Sequence, residues 1–284
     1  MNNLTLNVND HSRESAGLRY VYPVISRRSQ GVSIGINLNT NNACNWACQY
    51  CQVPGLIRGA APQTEVSVLK QELSGFLDDV LDGDFMHRRV PEGLRRLNDI
   101  AFSGNGEPTA SPNFAEAVDG VLEVISEKHF PDPLKLVVIS NGSFVTRDPV
   151  QQALKRLAGH RAELWFKLDR GTTLARQHVN GIEIPNPLMI ERLVAASQLM
   201  PVWLQTCIYK EHGAVPSSEE CDAFEGLVEQ AIQAGARLQG LLLYTLARPS
   251  LQPGGEDLSA MNAEEMAPWA DPIRRLGLRV QISI

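Results

Sequence analysis

The sequence lacks an excess of positive charge, has few aromatic residues, and contains no apolar run long enough to cross a bilayer. Its 26 Lys and Arg against 32 Asp and Glu leave a net charge of −6. That balance argues against an extended nucleic-acid surface, which needs a basic stripe. HRRVPEGLRR at 87–96, with Arg27 and Arg28 before it, is the local exception. Clusters of this kind more often form solvated faces than nucleic-acid sites. Runs such as GLLLY and LVVIS fall far short of the roughly 20 apolar residues of a membrane span. The amino-terminal MNNLTLNVNDHSRES has no apolar centre of the kind a secretory signal requires. A soluble, cytoplasmic protein with no membrane association is therefore expected. Internal repeats, low-complexity tracts and long linkers are also missing. In 284 residues this leaves room for one large α/β domain or two small ones.

What the sequence does have is alternation. Nearly continuous apolar runs at 31–39, 98–104, 134–140, 163–169, 202–209 and 238–247 read as strands of a parallel sheet covered on both faces. Helical patterns separate them. Over 64–81, Val66, Leu69, Leu73, Phe76, Leu77 and Val80 fall on one face. Ser111-Pro112, Asp148-Pro149 and Asn186-Pro187 each read as an N-cap followed by proline at the first helical position. A helix over 217–234 ends at Gly235, and Asn262 with Glu265 forms a capping box for a helix that ends at Gly277. A short strand, RVQISI, follows. Six strand–helix units suit a barrel-like architecture or a doubly wound open sheet, and periodicity alone does not separate the two.

One absence is chemical. Three of the five cysteines, Cys44, Cys48 and Cys51, lie within eight residues, and no fourth cysteine follows nearby. A closed structural zinc site takes four ligands. A catalytic zinc of the deaminase type also uses a nearby Glu, which is missing here. Thioredoxin-like chemistry needs only two thiols and leaves Cys44 unexplained. Short thiolate spacings also hold iron–sulfur clusters, and three ligands on a four-iron cluster leave one iron open.

Cys-x3-Cys-x2-Cys with Tyr50 just before the last cysteine resembles the signature of radical S-adenosylmethionine (radical SAM) enzymes. SGNGEPT at 103–109 resembles the Gly-Gly-Glu-Pro motif that follows the second strand in that family, with Asn105 in place of the first glycine of the pair. Taken alone, that segment would be a plain strand-to-helix turn. With VISNG, WFKLDRGT and LLYTLARPS, the likeness runs over most of the chain. It points to the bacterial group related to the tRNA wybutosine-synthesising enzyme. The resemblance implies a partial (β/α)6 TIM-like barrel with a short extra carboxyl-terminal strand. It implies a domain over 31–284, with residues 1–30 as an extension packed on it. It also implies a [4Fe–4S] cluster on Cys44, Cys48 and Cys51, with S-adenosyl-L-methionine bound at the open iron. In the family, reductive cleavage of that cofactor yields a 5′-deoxyadenosyl radical that abstracts hydrogen from the substrate.

By the same resemblance, Tyr50, Ser103, Gly104, Asn105, Gly106, Glu107, Ser140 and Asn141 belong to the cofactor site. Glycines would let backbone approach the ligand, and Glu107 would accept from its ammonium group. In ELWFKLD, Trp165, Lys167 and Asp169 share one strand face. Lys167 there would reach a carboxylate of cofactor or substrate, with Asp169 at the barrel mouth, as catalytic candidates. A structural Lys–acid pair is the equal alternative. Arg248 ends the sixth strand, where it would hold an anion, and Gln205 and Gln239 are candidates for the lumen. Cys207 reads as a buried structural thiol. A small-molecule substrate and an electron donor of flavodoxin or ferredoxin type are the expected partners. Modification of a tRNA base is the second reading, and a non-enzymatic iron–sulfur scaffold or redox sensor the third.

Overall fold

The computed structural model describes residues 5–6, 16–26 and 31–284. Most of the expected 1–30 extension, including Arg27 and Arg28, lies outside the described residues. One sheet organises the rest. Its strands are β1 (Val21–Ser26), β2 (Gly31–Ile36), β3 (Leu97–Phe102), β4 (Lys135–Ser140), β5 (Ala162–Lys167), β6 (Val202–Cys207), β7 (Leu238–Tyr244) and β8 (Arg279–Ser283). They lie side by side in that chain order. β1 runs antiparallel to β2, and every later neighbour pair is parallel. A doubly wound sheet reverses its strand order at a switch point. No reversal occurs here, so the architecture is a curled partial (β/α) barrel with a short final strand, as expected.

Each crossover between β2 and β8 carries helix. These are α1 (Val66–Leu81) with the short α2 (Phe85–Arg89), α3 (Phe114–Ser126), α4 (Asp148–Ala158), α5 (Thr173–Asn180) with α6 (Asn186–Leu199), α7 (Ser218–Gln233) and α8 (Ala263–Arg275). Helix faces such as Leu69, Leu73 and Leu77 of α1 are fully buried in the same core as the outward faces of the strands, including Leu164 and Phe166 of β5. The capping box of α8 (Asn262 with Glu265) forms as read, and α7 has one of its own from Ser217 with Glu220.

Three helix starts differ from the sequence reading. Asp148 and Asn186 are the first helical residues, and Arg147 and Pro185 precede them as caps. α3 opens at Phe114 after Asn113 rather than at Ser111-Pro112. Asn113 is drawn away from its own helix: Thr64 N donates to its Oδ1 at 2.9 Å, and its Nδ2 donates to Thr64 O at 2.9 Å. That exchange ties the entrance of α1 to the entrance of α3.

β1 was not legible as a strand, and it closes one side of the lumen. Tyr22 pairs with Gly35 across the β1–β2 ladder. A Cβ at Gly35 would lie 2.1 Å from Cζ of Tyr22, so a bare backbone lets the ring lie flat over β2. The Tyr22 hydroxyl then reaches Ser103 Oγ at 3.0 Å. Gly35→Ala is expected to destabilise the protein by about 1–3 kcal/mol through overpacking. Urea denaturation of Gly35→Ala, Tyr22→Ala and the double variant checks this. The two losses should be strongly non-additive, because removing the ring removes the clash.

Candidate metal and cofactor site

The segment between β2 and α1 carries the three cysteines, and beyond a short parallel pairing of Ala43–Cys44 with Ile57–Arg58 much of its backbone is held by side chains. Asparagines do much of this. Asn37 Oδ1 accepts from Asn39 N at 3.1 Å and from Asn105 N at 3.0 Å. Asn39 Nδ2 donates to Ala43 O at 2.9 Å. Asn42, in the left-handed region at φ 55°, donates to Pro54 O at 3.0 Å and accepts from Asn105 Nδ2 at 2.7 Å. Asn45 accepts from Asn141 Nδ2 at 2.9 Å, and Trp46 Nε1 donates to Ser143 Oγ at 3.1 Å. Asn105 thus anchors the cysteine segment from the place where the Gly-Gly-Glu-Pro pattern has a glycine.

A second clamp comes from beyond β7. The loop 245–261 is pinned at its base, where Met261 N donates to Thr245 Oγ1 at 2.8 Å. Further along it, Ser250 Oγ donates to Gln49 O at 2.5 Å and Leu251 N to Cys51 O at 3.0 Å. Gln252 Nε2 donates to Val53 O at 2.9 Å and to Cys51 O at 3.2 Å. Arg248 bonds Gln52 through its guanidinium, and its carbonyl accepts from Gln52 Nε2 at 2.9 Å. Arg248 therefore faces the cysteine segment and is not among the residues that line the lumen.

The lumen is a cavity of about 320 Å³. Cys44, Cys48 and Cys51 line it together with Tyr50 and the 103–107 loop. All three thiols are free. Burial pushes the Cys44 thiol up to about 11 and the Cys48 thiol up to about 12. Two N–H groups approach the sulfurs: Trp46 N lies 3.4 Å from Cys44 Sγ, and Asn180 Nδ2 lies 3.3 Å from Cys48 Sγ.

Among the described residues, no three His, Cys, Asp or Glu side chains gather as the ligands of a single ion. Thiolates on one zinc lie about 3.8 Å apart, given a Zn–S bond of about 2.3 Å. Three thiols lining one cavity are a donor set of the kind that holds iron–sulfur clusters. N–H donors to the sulfurs are the usual way to tune such a cluster. The residues present fit a [4Fe–4S] group.

Glu107 is buried at 2% exposure, and neutral donors surround its carboxylate. Ser140 Oγ donates at 2.7 Å, Asn141 N at 2.6 Å and Thr109 N at 3.1 Å, with the Thr109 hydroxyl closer still. Burial raises the Glu107 pKa, while the donors from Thr109, Asn141 and Ser140 oppose the shift. Ser140, expected at the cofactor, lies behind Glu107, whereas Ser103, Gly104, Asn105, Gly106 and Asn141 line the cavity. The glycine requirement also has another reason than expected. A Cβ at Gly106 would lie 2.2 Å from Ala43 O, so Gly106 admits the cysteine segment as well as lining the cavity.

Asp169 differs most from the reading. It is fully buried, not at the mouth, and its carboxylate is engaged from below. Oδ1 accepts from Cys207 N at 2.7 Å, while Oδ2 accepts from the Tyr50 hydroxyl at 2.5 Å and from Asn180 Nδ2 at 2.7 Å. It thereby fixes the aromatic ring beside the cysteines. Lys167 does face the lumen, with Trp165, Gln205 and Tyr244. Its Nζ lies 3.2 Å from the Tyr244 hydroxyl and 4.9 Å from the centre of the Tyr50 ring. Burial works against the ammonium, but Tyr244 and Asp169 outweigh it and hold the Lys167 pKa above its usual value. Gln239 is exposed on β7, pointing out of the lumen beside Arg279. Cys207 is fully buried, with burial raising its pKa. Sequence reasoning missed Tyr22, Asn180 and the Ser33–Asp99 pair deeper in the cavity, because nothing local marks them.

The thiols thus lie on the loop after the first parallel strand of a chain-ordered half-barrel. The chain superposes on a radical SAM methyltransferase from Sphaerobacter thermophilus with a TM-score of 0.61, at 13% identity, over 95% of this chain and 70% of that one. The two share this fold. No protein-family model matches the chain. In sequence it is 29% identical over 138 residues to a "UPF0026 protein" of Helicobacter pylori, in strains ATCC 700392 / 26695 and J99 / ATCC 700824. These matches cover 47% of this chain and 38% of each relative, so the chain spans well under half the length of these curated relatives.

Loosening the clamp from beyond β7 should free the cysteine segment. In metal-free protein, Ser250→Ala with Gln252→Ala is expected to speed alkylation of Cys51 by about a hundredfold, at about 1 kcal/mol for each hydrogen bond lost. Mass spectrometry of iodoacetamide-treated protein reads that rate directly.

Proposed function

We propose that this chain is a radical S-adenosylmethionine enzyme acting on a small molecule enclosed by the half-barrel. The observation that carries the reading is that three free thiols and the 103–107 loop line one cavity at the carboxyl end of the parallel strands, where barrel enzymes build their sites. A [4Fe–4S] cluster would be held by Cys44, Cys48 and Cys51, with one iron left to S-adenosyl-L-methionine. The chemistry that pair supplies when bound is one-electron cleavage of the sulfonium, with hydrogen-atom abstraction from a substrate. The chain's own residues bind, orient and shield. Asn180 and Trp46 direct N–H groups at the sulfurs, and Asp169 sets the Tyr50 ring against the cavity. Gly104, Asn105 and Asn141 give the cofactor a polar wall. The apolar lining, which includes Val53, Ile139 and Trp165, excludes water from a reactive species. A flavodoxin or ferredoxin type of protein would deliver the electron. Among the described residues no helix is long and apolar enough to cross a membrane.

Modification of a tRNA base is the second reading, favoured by the resemblance to the wybutosine group and by the basic cluster at 87–96. Two observations favour the small molecule. The cluster immediately precedes β3 and so lies at the amino end of the strands, away from the cysteines. Arg88 within it is already paired with Asp84 and Asp79, at 2.6 and 3.1 Å.

Anaerobic reconstitution with iron and sulfide, followed by dithionite and S-adenosylmethionine, tests the proposal. Wild type should yield 5′-deoxyadenosine on chromatography, and Cys44→Ala should lose both the cluster absorption and the product. An intact four-iron cluster that leaves S-adenosylmethionine uncleaved would contradict the enzyme and favour a redox scaffold. Mobility shifts with bulk tRNA at two salt concentrations separate the substrates, because phosphate contacts give a steep salt dependence. No salt-sensitive shift is expected.

A further inference from the structure

The carboxyl end of α5 grips Cys48 through three hydrogen bonds. Ala47 N donates to Asn180 O at 2.9 Å, and Gln49 N donates to Val179 O at 2.8 Å, so the helix end holds the residue on each side of the cysteine. Asn180 Nδ2 then donates to Cys48 Sγ at 3.3 Å. Gly181 permits this approach: it ends the helix at φ 65°, and a Cβ there would lie 3.0 Å from Cβ of Ala47. The same Nδ2 donates to Asp169 Oδ2 at 2.7 Å. One amide nitrogen, fully buried, is therefore shared between a carboxylate and a cysteine sulfur. Both of its hydrogens are committed there, and among the described residues Asn180 Oδ1 has no hydrogen-bond partner. An orphaned buried acceptor costs stability, so packing alone would favour an apolar side chain of the same volume. What the amide adds is its N–H groups, and they point at two acidic groups.

We propose that Asn180 is a positioning residue that raises the reduction potential of the iron–sulfur group on Cys48, by giving one amide nitrogen both to the sulfur and to the carboxylate behind it. The inference rests on the cluster assigned above. Hydrogen bonds to ligand sulfurs and the charge around them set the potential of such a group. A donor to sulfur stabilises the reduced, more negative state more than the oxidised one. A carboxylate facing a thiolate opposes an added electron, and Asp169 does act on Cys48 in that sense, with Lys167 opposing it from the lumen side. Asn180 works by contact, at the two acidic groups themselves. The step it favours is the transfer of one electron, from the reduced flavodoxin- or ferredoxin-type donor to the oxidised cluster. No bond of Asn180 forms or breaks.

Potentiometric titration of reconstituted protein, read by electron paramagnetic resonance of the reduced cluster, tests it. Asn180→Leu keeps the volume and removes both N–H groups, and Asn180→Asp keeps the shape but sets a second carboxylate beside Asp169. Cluster absorption equal to that of wild type shows that a variant is loaded. At a fixed potential, Asn180→Leu is expected to hold about tenfold less reduced relative to oxidised cluster, which is about 59 mV for one electron, and Asn180→Asp less still. If the variants assemble no cluster, wild type labelled with ¹⁵N at its asparagine side-chain amides decides. Pulsed spectra of its reduced cluster should then show a ¹⁵N hyperfine coupling. Loaded variants that titrate within about twofold of wild type, about 18 mV, overturn the proposal and leave the functional reading standing. A shift to higher potential, or a missing ¹⁵N coupling, does the same. If the variants shift as expected while wild type leaves S-adenosylmethionine uncleaved, the functional reading fails and the role of Asn180 stands. A wild-type protein that assembles no iron–sulfur cluster overturns both.

Discussion

The carboxylate of Glu107 is the interaction on which the rest of the site depends. It sits on the loop after β3 and takes donors from Ser140 and Asn141 at the end of β4. Asn141 in turn bonds Asn45 in the cysteine segment, and Ser143 bonds Trp46. One buried acid therefore joins two strand ends and, through one further bond, the segment carrying the thiols. Its oxygens accept only neutral donors, and each donor would be left orphaned in a dry interior if the acid were removed. A local motif thus acts as a long-range brace.

The same economy recurs around the cavity. Asp169 does for Tyr50 and β6 what Glu107 does for β4, and the loop beyond β7 does it for the carbonyls of Gln49, Cys51 and Val53. A segment that must present three thiols to a lumen satisfies only a little of its backbone through its short Ala43–Cys44 ladder, so the carboxyl ends of several strands share the task. The result is a cavity with a polar rim of amides and glycines, a mostly apolar wall, and one ammonium. That combination suits a reactive intermediate shielded from water and a small molecule oriented by a few contacts.

Much of this was legible in the sequence because it is local. Apolar runs marked the six parallel strands of the barrel, caps such as Asn262 with Glu265 marked helices, and the spacing of Cys44, Cys48 and Cys51 marked the candidate metal-binding segment. The errors lie where a distant partner overrides a local signal. Asn113 exchanges bonds with Thr64 instead of capping at the position the Ser-Pro pair suggested. Asp169 has the alternation of a lumen residue but leaves the ladder after Lys167 and turns beneath Tyr50. β1 carries Pro23, so its place at the sheet edge emerges only from pairing with β2. Tyr22, Asn180 and the 248–252 clamp act over separations that leave no periodicity to read.

The central claim is that three thiolates hold a four-iron cluster with one iron open to a ligand. Mössbauer spectroscopy of protein reconstituted with ⁵⁷Fe, recorded before and after addition of S-adenosylmethionine, tests it most directly. The account predicts a four-iron cluster in which one iron alone changes its parameters when the cofactor is added. A mononuclear or two-iron signal, or a four-iron cluster whose irons are all unmoved by the cofactor, would contradict it.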